Sequence, residues 1–318
     1  MGDRLARLRA ASGGPFTRAQ ALAAGISTSE MRRLLGRGTC VPLRRGVYVE
    51  EVVRARVSQD DRRAHALEIA ALRLALGCDV VAGGASAAYI LGLETMDGPP
   101  RELTILTDNE SWRCRQRDGY VLRMVALPPH HREHRFGVPV TSAARTVIDI
   151  ARSGTVMAGV VVADSALRKR IATSRQLVDV LAECRGWCGV NQAQRAIALA
   201  DPRAESVLES VSRVAMHEQD IPPPRTQVVI GAEHGPFARA DFAWDQYRVI
   251  GEADGLGKYE PDERRTTREI VRDEKRREER LADLGFTVVR WGWRTALDPP
   301  LLARRLHNAF ARSTGRAR

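Results

Sequence analysis

Lysine is nearly missing from this chain: of its 50 basic residues only Lys169, Lys258 and Lys275 are lysine, and the rest are arginine. Cysteine is sparse as well. The five (Cys40, Cys78, Cys114, Cys184, Cys188) are scattered and odd in number. Cys184 and Cys188 lie close together, but no second pair completes a zinc site, so reduced thiols are expected. Long apolar runs are absent too. The longest, Val156 to Ala163, is far too short to span a bilayer, and the opening MGDRLARLRA carries charge throughout rather than the apolar core of a secretory leader. The expectation is a cytoplasmic protein with no membrane partner. Gly83-Gly84-Ala85-Ser86 lacks the spacing of a dinucleotide or phosphate loop. It reads as tight packing, and no organic cofactor is expected.

What is present bounds the rest. A chain of 318 residues with 44% apolar content has material for two or three domains with real cores. The net charge of +11 is uneven: residues 1–49 hold nine arginines against two acids, Asp3 and Glu30. A small basic unit on a near-neutral body points to nucleic acid.

Local signals in that unit agree. Residues 3–11 read as a short helix with Leu5 and Leu8 inward. Thr17 caps a second helix, Arg18 to Ala24, ended by Gly25. Ser27-Thr28-Ser29-Glu30 reads as a capping box that opens a third helix through Arg37. Its apolar stripe is Met31, Leu34 and Leu35, and Thr28, Arg32 and Arg33 lie outside it. Helix, short glycine turn, helix is a helix-turn-helix signature. Cys40 to Val49 then reads as a hairpin with Arg44 and Arg45 at its tip, which makes a winged helix-turn-helix over residues 1–54. Double-stranded DNA is the implied partner, and Thr28, Arg32, Arg33, Arg44 and Arg45 are its candidate contacts. The alternative is a helical cap with a solvated basic face.

Residues 55–200 read as an α/β middle domain of undisclosed chemistry. Residues 60–76 form an amphipathic helix, Glu102–Thr107 a strand, and Thr141 caps a further helix. Another helix spans Ala158–Lys169. His130, His131 and His134 follow Pro128-Pro129 in a loop where no carboxylate or cysteine partner stands out, so a polar loop is favoured over a metal site.

Asp201-Pro202 marks a boundary, and residues 201–318 read as a third domain. Glu205 to Met216 is a helix with Glu205 and Glu209 one turn apart, and Gln227–Gly231 is a strand. Residues 238–258, ARADFAWDQYRVIGEADGLGK, read as a β-hairpin. Strand alternation puts Phe242, Trp244, Val249, Gly251 and Ala253 on a core face. It puts Arg239, Asp241, Ile250, Glu252 and Asp254 on the other. With the turn at Gln246-Tyr247, Phe242 covers Gly251, Arg239 faces Asp254, and Asp241 stands opposite Glu252 at ~5 Å between Cβ atoms. Two facing carboxylates call for a cation, and oxygen ligands suit Mg²⁺, Mn²⁺ or Ca²⁺. The alternative is a solvated hairpin face. A long, charged, mostly solvated helix at 262–284, a strand at Phe286–Arg290 and a closing helix at 299–312 complete the domain.

Two stretches resemble known families. PFTRAQALAAGISTSEMRRLLGRGTCVPLRRGVYV (residues 15–49) resembles the winged-helix domain of AbiEi-type antitoxins and transcriptional regulators, and TSAARTVIDIAR recurs in such two-part proteins. Residues 205–291, through ESVLES, ADFAW, VIGEADGLGKY and RDEKRREERLADLGFTVVRW, resemble very-short-patch-repair-like endonuclease domains of the PD-(D/E)XK type. The resemblance implies a multidomain α/β protein: an N-terminal winged helix-turn-helix, an α/β middle domain and a C-terminal restriction-endonuclease-like mixed sheet flanked by helices. It implies a DNA-binding antitoxin of the type IV toxin–antitoxin class, with a nucleotidyltransferase-type toxin as partner. One alternative is a Mg²⁺-dependent endodeoxyribonuclease targeted by its winged helix, and another is a protein-interaction module that neutralises a nucleotidyltransferase toxin, as the AbiEi resemblance implies. By position Asp241 and Glu252 match the metal-binding acids and Glu209 the supporting helix acid. The family's catalytic lysine would stand at position 254, where this chain has Asp254. Lys258, in the following turn, is the remaining candidate for that cation.

Overall fold

The computed structural model describes residues 2–12, 14–112, 114–117, 119–231, 235, 237–254 and 267–316. The chain forms two compact units and passes between them more than once. Residues 1–153 and 171–188 make the first, and residues 154–170 and 189–318 the second. This division differs from the three segments bounded at 54/55 and 200/201.

In the first unit α1 (Gly2–Ser12) buries Leu5 and Leu8, and β1 (Phe16–Thr17) follows. Thr17 closes a capping box with Gln20 and starts α2 (Arg18–Ala23). Ser27 closes another with Glu30 and starts α3 (Thr28–Gly36). Then come β2 (Cys40–Arg44) and β3 (Val47–Glu50), in a three-stranded antiparallel sheet ordered β1-β3-β2. One core joins these elements: Leu5, Leu8, Phe16, Ala21, Ile26, Met31, Leu34 and Cys40. This arrangement is compatible with a winged helix.

Two helices, α4 (Glu51–Val57) and α5 (Asp61–Leu76), lead on. The latter touches all three strands of the small sheet, while its Ala66, Ile69 and Leu72 lie in the core of a second sheet. It is therefore a shared wall, which is why residues 1–54 do not separate as a unit. The second sheet is built from β4 (Val81–Ala82), α6 (Gly84–Leu91) alongside it, β5 (Leu103–Thr107), β6 (Arg115–Arg117), β7 (Tyr120–Met124), β8 (Arg132–Arg135) and β9 (Val138–Thr141). Its order is β6-β7-β5-β4-β9-β8, with β5–β7 and β4–β9 parallel. Gly83 packs as expected: a Cβ there would lie 2.4 Å from Leu106. Thr141 ends β9 instead of capping α7 (Ala143–Ser153). Its hydroxyl pairs with that of Thr146 at 2.7 Å.

The chain next supplies α8 (Val156–Arg168) to the second unit, returns as α9 (Ser174–Glu183), and leaves again through α10 (Val190–Ala198). Every residue of α8 from Gly159 to Ala166 is buried, because the helix packs against both α10 and α11 (Val207–Glu218). Four strands follow, β10 (Arg225–Ile230), β11 (Ala238–Trp244), β12 (Val249–Ala253) and β13 (Thr287–Trp291), with α12 (Thr267–Asp283) before the last. Short α13 (Trp293–Ala296) and α14 (Pro299–Arg316) close the unit. The sheet runs β10-β11-β12-β13, antiparallel except for the parallel β12–β13 pair. Phe242 pairs with Gly251 as a turn at Gln246-Tyr247 predicts. The ring that covers the glycine is Trp291, 2.5 Å from where a Cβ would lie, and it stacks on Phe242 at 5.6 Å. Trp291 Nε1 donates to Ser212 Oγ at 2.8 Å and Trp244 Nε1 to the Pro222 carbonyl at 2.6 Å, so both buried indoles are satisfied.

One histidine in the first unit sets a pH dependence. His65 on α5 meets the Ser86 hydroxyl at 2.9 Å, and Ser86 Oγ accepts the Thr104 N–H at 2.8 Å. That leaves the hydroxyl proton for His65 Nε2, an arrangement suited to a neutral ring. Burial depresses the His65 pKa from 6.5 to about 4. The unfolded chain therefore binds the extra proton first, and stability falls as pH drops from 6.5 toward 4. After allowance for partial exposure the loss is up to about 2 kcal/mol. Urea titrations between pH 7 and 4.5 should show this slope, and the non-titrating His65→Gln protein should lack that part of it.

Candidate functional site

The N-terminal helices and hairpin present exposed arginines. The Ser27–Glu30 capping box fixes the start of α3: Ser27 Oγ accepts the Glu30 N–H at 3.2 Å and the Glu30 carboxylate accepts the Ser27 N–H at 2.8 Å. Met31 and Leu34 are buried, so the helix turns Arg32 and Arg33 outward, and both are exposed. The β2–β3 turn exposes Arg45. Two other expected contacts have partners within the unit. Thr28 Oγ1 accepts from Arg18 at 3.3 Å. Arg44 points not out from the wing tip but back to Glu68 of α5, at 3.5 Å, with 23% of its side chain exposed. Arg18, at the start of α2, is an exposed cation on this unit that the helix-turn-helix pattern does not single out.

The expected site acids Glu209, Asp241 and Glu252 fall into two separate groups. Glu209, on α11, is 2% exposed. It accepts from the Glu205 N–H at 2.9 Å, the Ser206 hydroxyl at 2.9 Å and the Gln227 amide at 2.8 Å. Gln227 sits opposite Asp241 in the β10–β11 pair with a left-handed φ of 52°, a strained conformation for a non-glycine residue. Its amide also faces Asp241 Oδ1 at 3.5 Å, and its own oxygen is buried without a hydrogen-bond partner. Asp241 Oδ2 accepts the Ala253 N–H at 2.9 Å. The backbone register between β11 and β12 accordingly stops at Phe242–Gly251, one residue short of the expected Asp241–Glu252 pair.

Glu252 belongs to the other group. Arg277 of α12 binds both of its oxygens, at 2.7 and 3.0 Å, and Arg290, its register partner on β13, binds one at 2.7 Å. Burial by itself works to raise the Glu252 pKa, but these hydrogen bonds outweigh it and hold the carboxyl below its usual range. Arg239 pairs with Glu205 at 2.6 Å, not with Asp254. Lys258 lies outside the described residues.

A third cluster corrects the reading of the histidine segment, because a carboxylate partner does exist. His130 and His131 occupy a 3₁₀ turn and meet Glu183 of α9, 2.8 and 3.2 Å from its Oε2. It is the single three-residue group of metal-ligating type among the described residues. The buried ring of His131 argues against a metal. Its Nδ1 accepts from the Arg145 guanidinium at 2.9 Å, whereas a metal-bound imidazole donates from its second nitrogen. Arg145 is itself fully buried and held by Asp149, at 2.8 Å, the Ala126 carbonyl and the face of Trp187. The five cysteines are free thiols, and no helix among the described residues is long and apolar enough to cross a membrane.

With this geometry in place, comparison with known proteins locates the N-terminal part. Residues 3–50 match the family described as "Transcriptional regulator, AbiEi antitoxin". Two uncharacterized proteins of Mycobacterium tuberculosis, from strains CDC 1551 / Oshkosh and ATCC 25618 / H37Rv, are each 32% identical over 149 residues, which is 47% of this chain. The chain spans about half the length of these relatives, 53% in each case.

Removing Glu209 would strand three donors in a buried place. Hydrogen bonds to a charged group contribute about 1.5–3 kcal/mol. Glu209→Ala should therefore destabilise the protein by about 2–3 kcal/mol in chemical denaturation, and Glu209→Gln, which keeps an acceptor, by less.

Proposed function

We propose that the protein is a DNA-binding transcriptional regulator of the antitoxin type, with α3 read into the major groove and the β2–β3 turn against the backbone. The observation that carries this is the match of residues 3–50 together with the outward arginines Arg32 and Arg33, set opposite the buried Met31–Leu34 stripe. Arg45 adds a cation at the wing tip. Double-stranded DNA is the partner this face fits, and a nucleotidyltransferase-type toxin is the protein partner that the antitoxin resemblance adds.

A metal-dependent endonuclease is the second reading. The element order helix, three strands, helix, strand in the second unit favours it, as do the adjoining Glu209, Gln227 and Asp241. The two guanidinium groups on Glu252 weigh against it. Plasmid nicking with Mg²⁺ or Mn²⁺ against EDTA decides between them, and Lys258→Ala reports on that lysine if nicking occurs.

A mobility-shift titration at several salt concentrations tests the regulator reading. Removing one arginine–phosphate interaction should flatten the log–log salt slope by about 0.9. Arg32→Ala/Arg33→Ala and Arg45→Ala should weaken binding and flatten the slope. Arg44→Ala should do so least, because Glu68 already engages it. Unchanged binding in the Arg32/Arg33 double variant would remove α3 as the recognition element.

A further inference from the structure

The element order of the second unit and the resemblance of residues 205–291 imply a divalent cation between Asp241 and Glu252. We propose instead that arginine takes that place: Arg277 and Arg290 are the built-in counter-ions of Glu252, and their network is the brace that fastens α12 to the sheet. The inference is independent of DNA binding by the first unit.

The donor set does not fit a shared ion. Glu252 is only 12% exposed, and a guanidinium fork covers both of its oxygens. A metal there needs one of those oxygens and would sit against two fixed positive charges. Asp241 commits one oxygen to the Ala253 N–H, and the other faces the Gln227 amide. The brace extends further. Arg277 also binds Glu274 at 2.8 and 2.9 Å, and Arg290 reaches both Glu274 and Glu278. Three carboxylates and two guanidiniums thus tie β12, β13 and α12 together. Of the α12 side chains described, Leu281 alone is buried. Arg280 over the Phe237 ring, at 3.9 Å, is a further cationic contact. A carboxylate held in this way is occupied whether or not metal is in solution, and Arg277 and a divalent ion are exclusive alternatives at Glu252.

Thermal melts of the full chain in EDTA and in millimolar Mn²⁺ test this. Wild type should melt at the same temperature in both. Arg277→Ala leaves Glu252 facing Arg290 alone and frees one of its oxygens. Its Tm should drop by about 5 °C or more. Mn²⁺ should restore part of the loss, and Arg277→Ala/Glu252→Gln should lose that restoration. Should the alanine variant fail to fold, Arg277→Lys keeps the charge without the fork and should fold with a Tm below that of wild type. A Mn²⁺-dependent rise in the wild-type Tm that Glu252→Gln abolishes would overturn the proposal. So would an Arg277→Ala or Arg277→Lys protein that melts with wild type.

Discussion

A charge taken out of water has to be paired where it lies, because breaking a buried pair costs more than the pair itself contributes. Both units are organised by this constraint. In the first, Arg145 has no exposed surface, and its partners Asp149, the Ala126 carbonyl, His131 and Trp187 come from four places in the chain. One guanidinium thereby fixes the 3₁₀ turn and the segment after α9 against α7. In the second, Asp164 of α8 is fully buried and accepts from Ser210, Arg213 and the Asp201 N–H. Burial pushes its carboxyl up, and Arg213 is the main group pulling it back. That carboxylate ties α8 to α11 and to the segment after α10. Apolar packing supplies most of the stabilisation, but these pairs specify which helix lies against which.

The parts of the fold legible in the sequence are those whose cause is local. Capping boxes at Thr17–Gln20 and Ser27–Glu30 span three residues, so the starts of α2 and α3 could be read directly. The turn placed at Gln246-Tyr247 likewise sets the Phe242–Gly251 register. Long-range causes were not legible. Nothing near Gly251 announces that Trp291 will lie on it, and nothing near His131 announces Glu183, 52 residues on. The division into units was hidden for the same reason. Both faces of α5 are used, and α8 is buried on every side from Gly159 to Ala166, so each belongs to neighbours that its own segment does not name.

The candidate sites divide along the same line. Exposed Arg32 and Arg33 follow from helical periodicity about Met31 and Leu34, and the structure keeps them outward. Arg44 follows from the same hairpin logic but is drawn to Glu68, a residue of the shared wall. In this way the wing is joined to a helix whose other side lies in the core of the six-stranded sheet. The winged helix is therefore not an appendage of the first unit but one face of it.

The near absence of lysine bears on the acidic hairpin. A lysine ammonium is a compact point charge that can sit beside one carboxylate oxygen and leave the second open to another ligand. A guanidinium presents a planar fork that matches both oxygens at once. In a chain whose cations are almost all arginine, a half-buried carboxylate is apt to be closed by its own counter-ion, as Glu252 is by Arg277. Facing acids in a sequence signal that a positive charge must be supplied. Whether it comes from a metal or from the chain depends on what the distant helix carries. Here α12 brings Arg277, 25 residues from Glu252, on a helix whose charge pattern looks the same whether it faces water or a carboxylate.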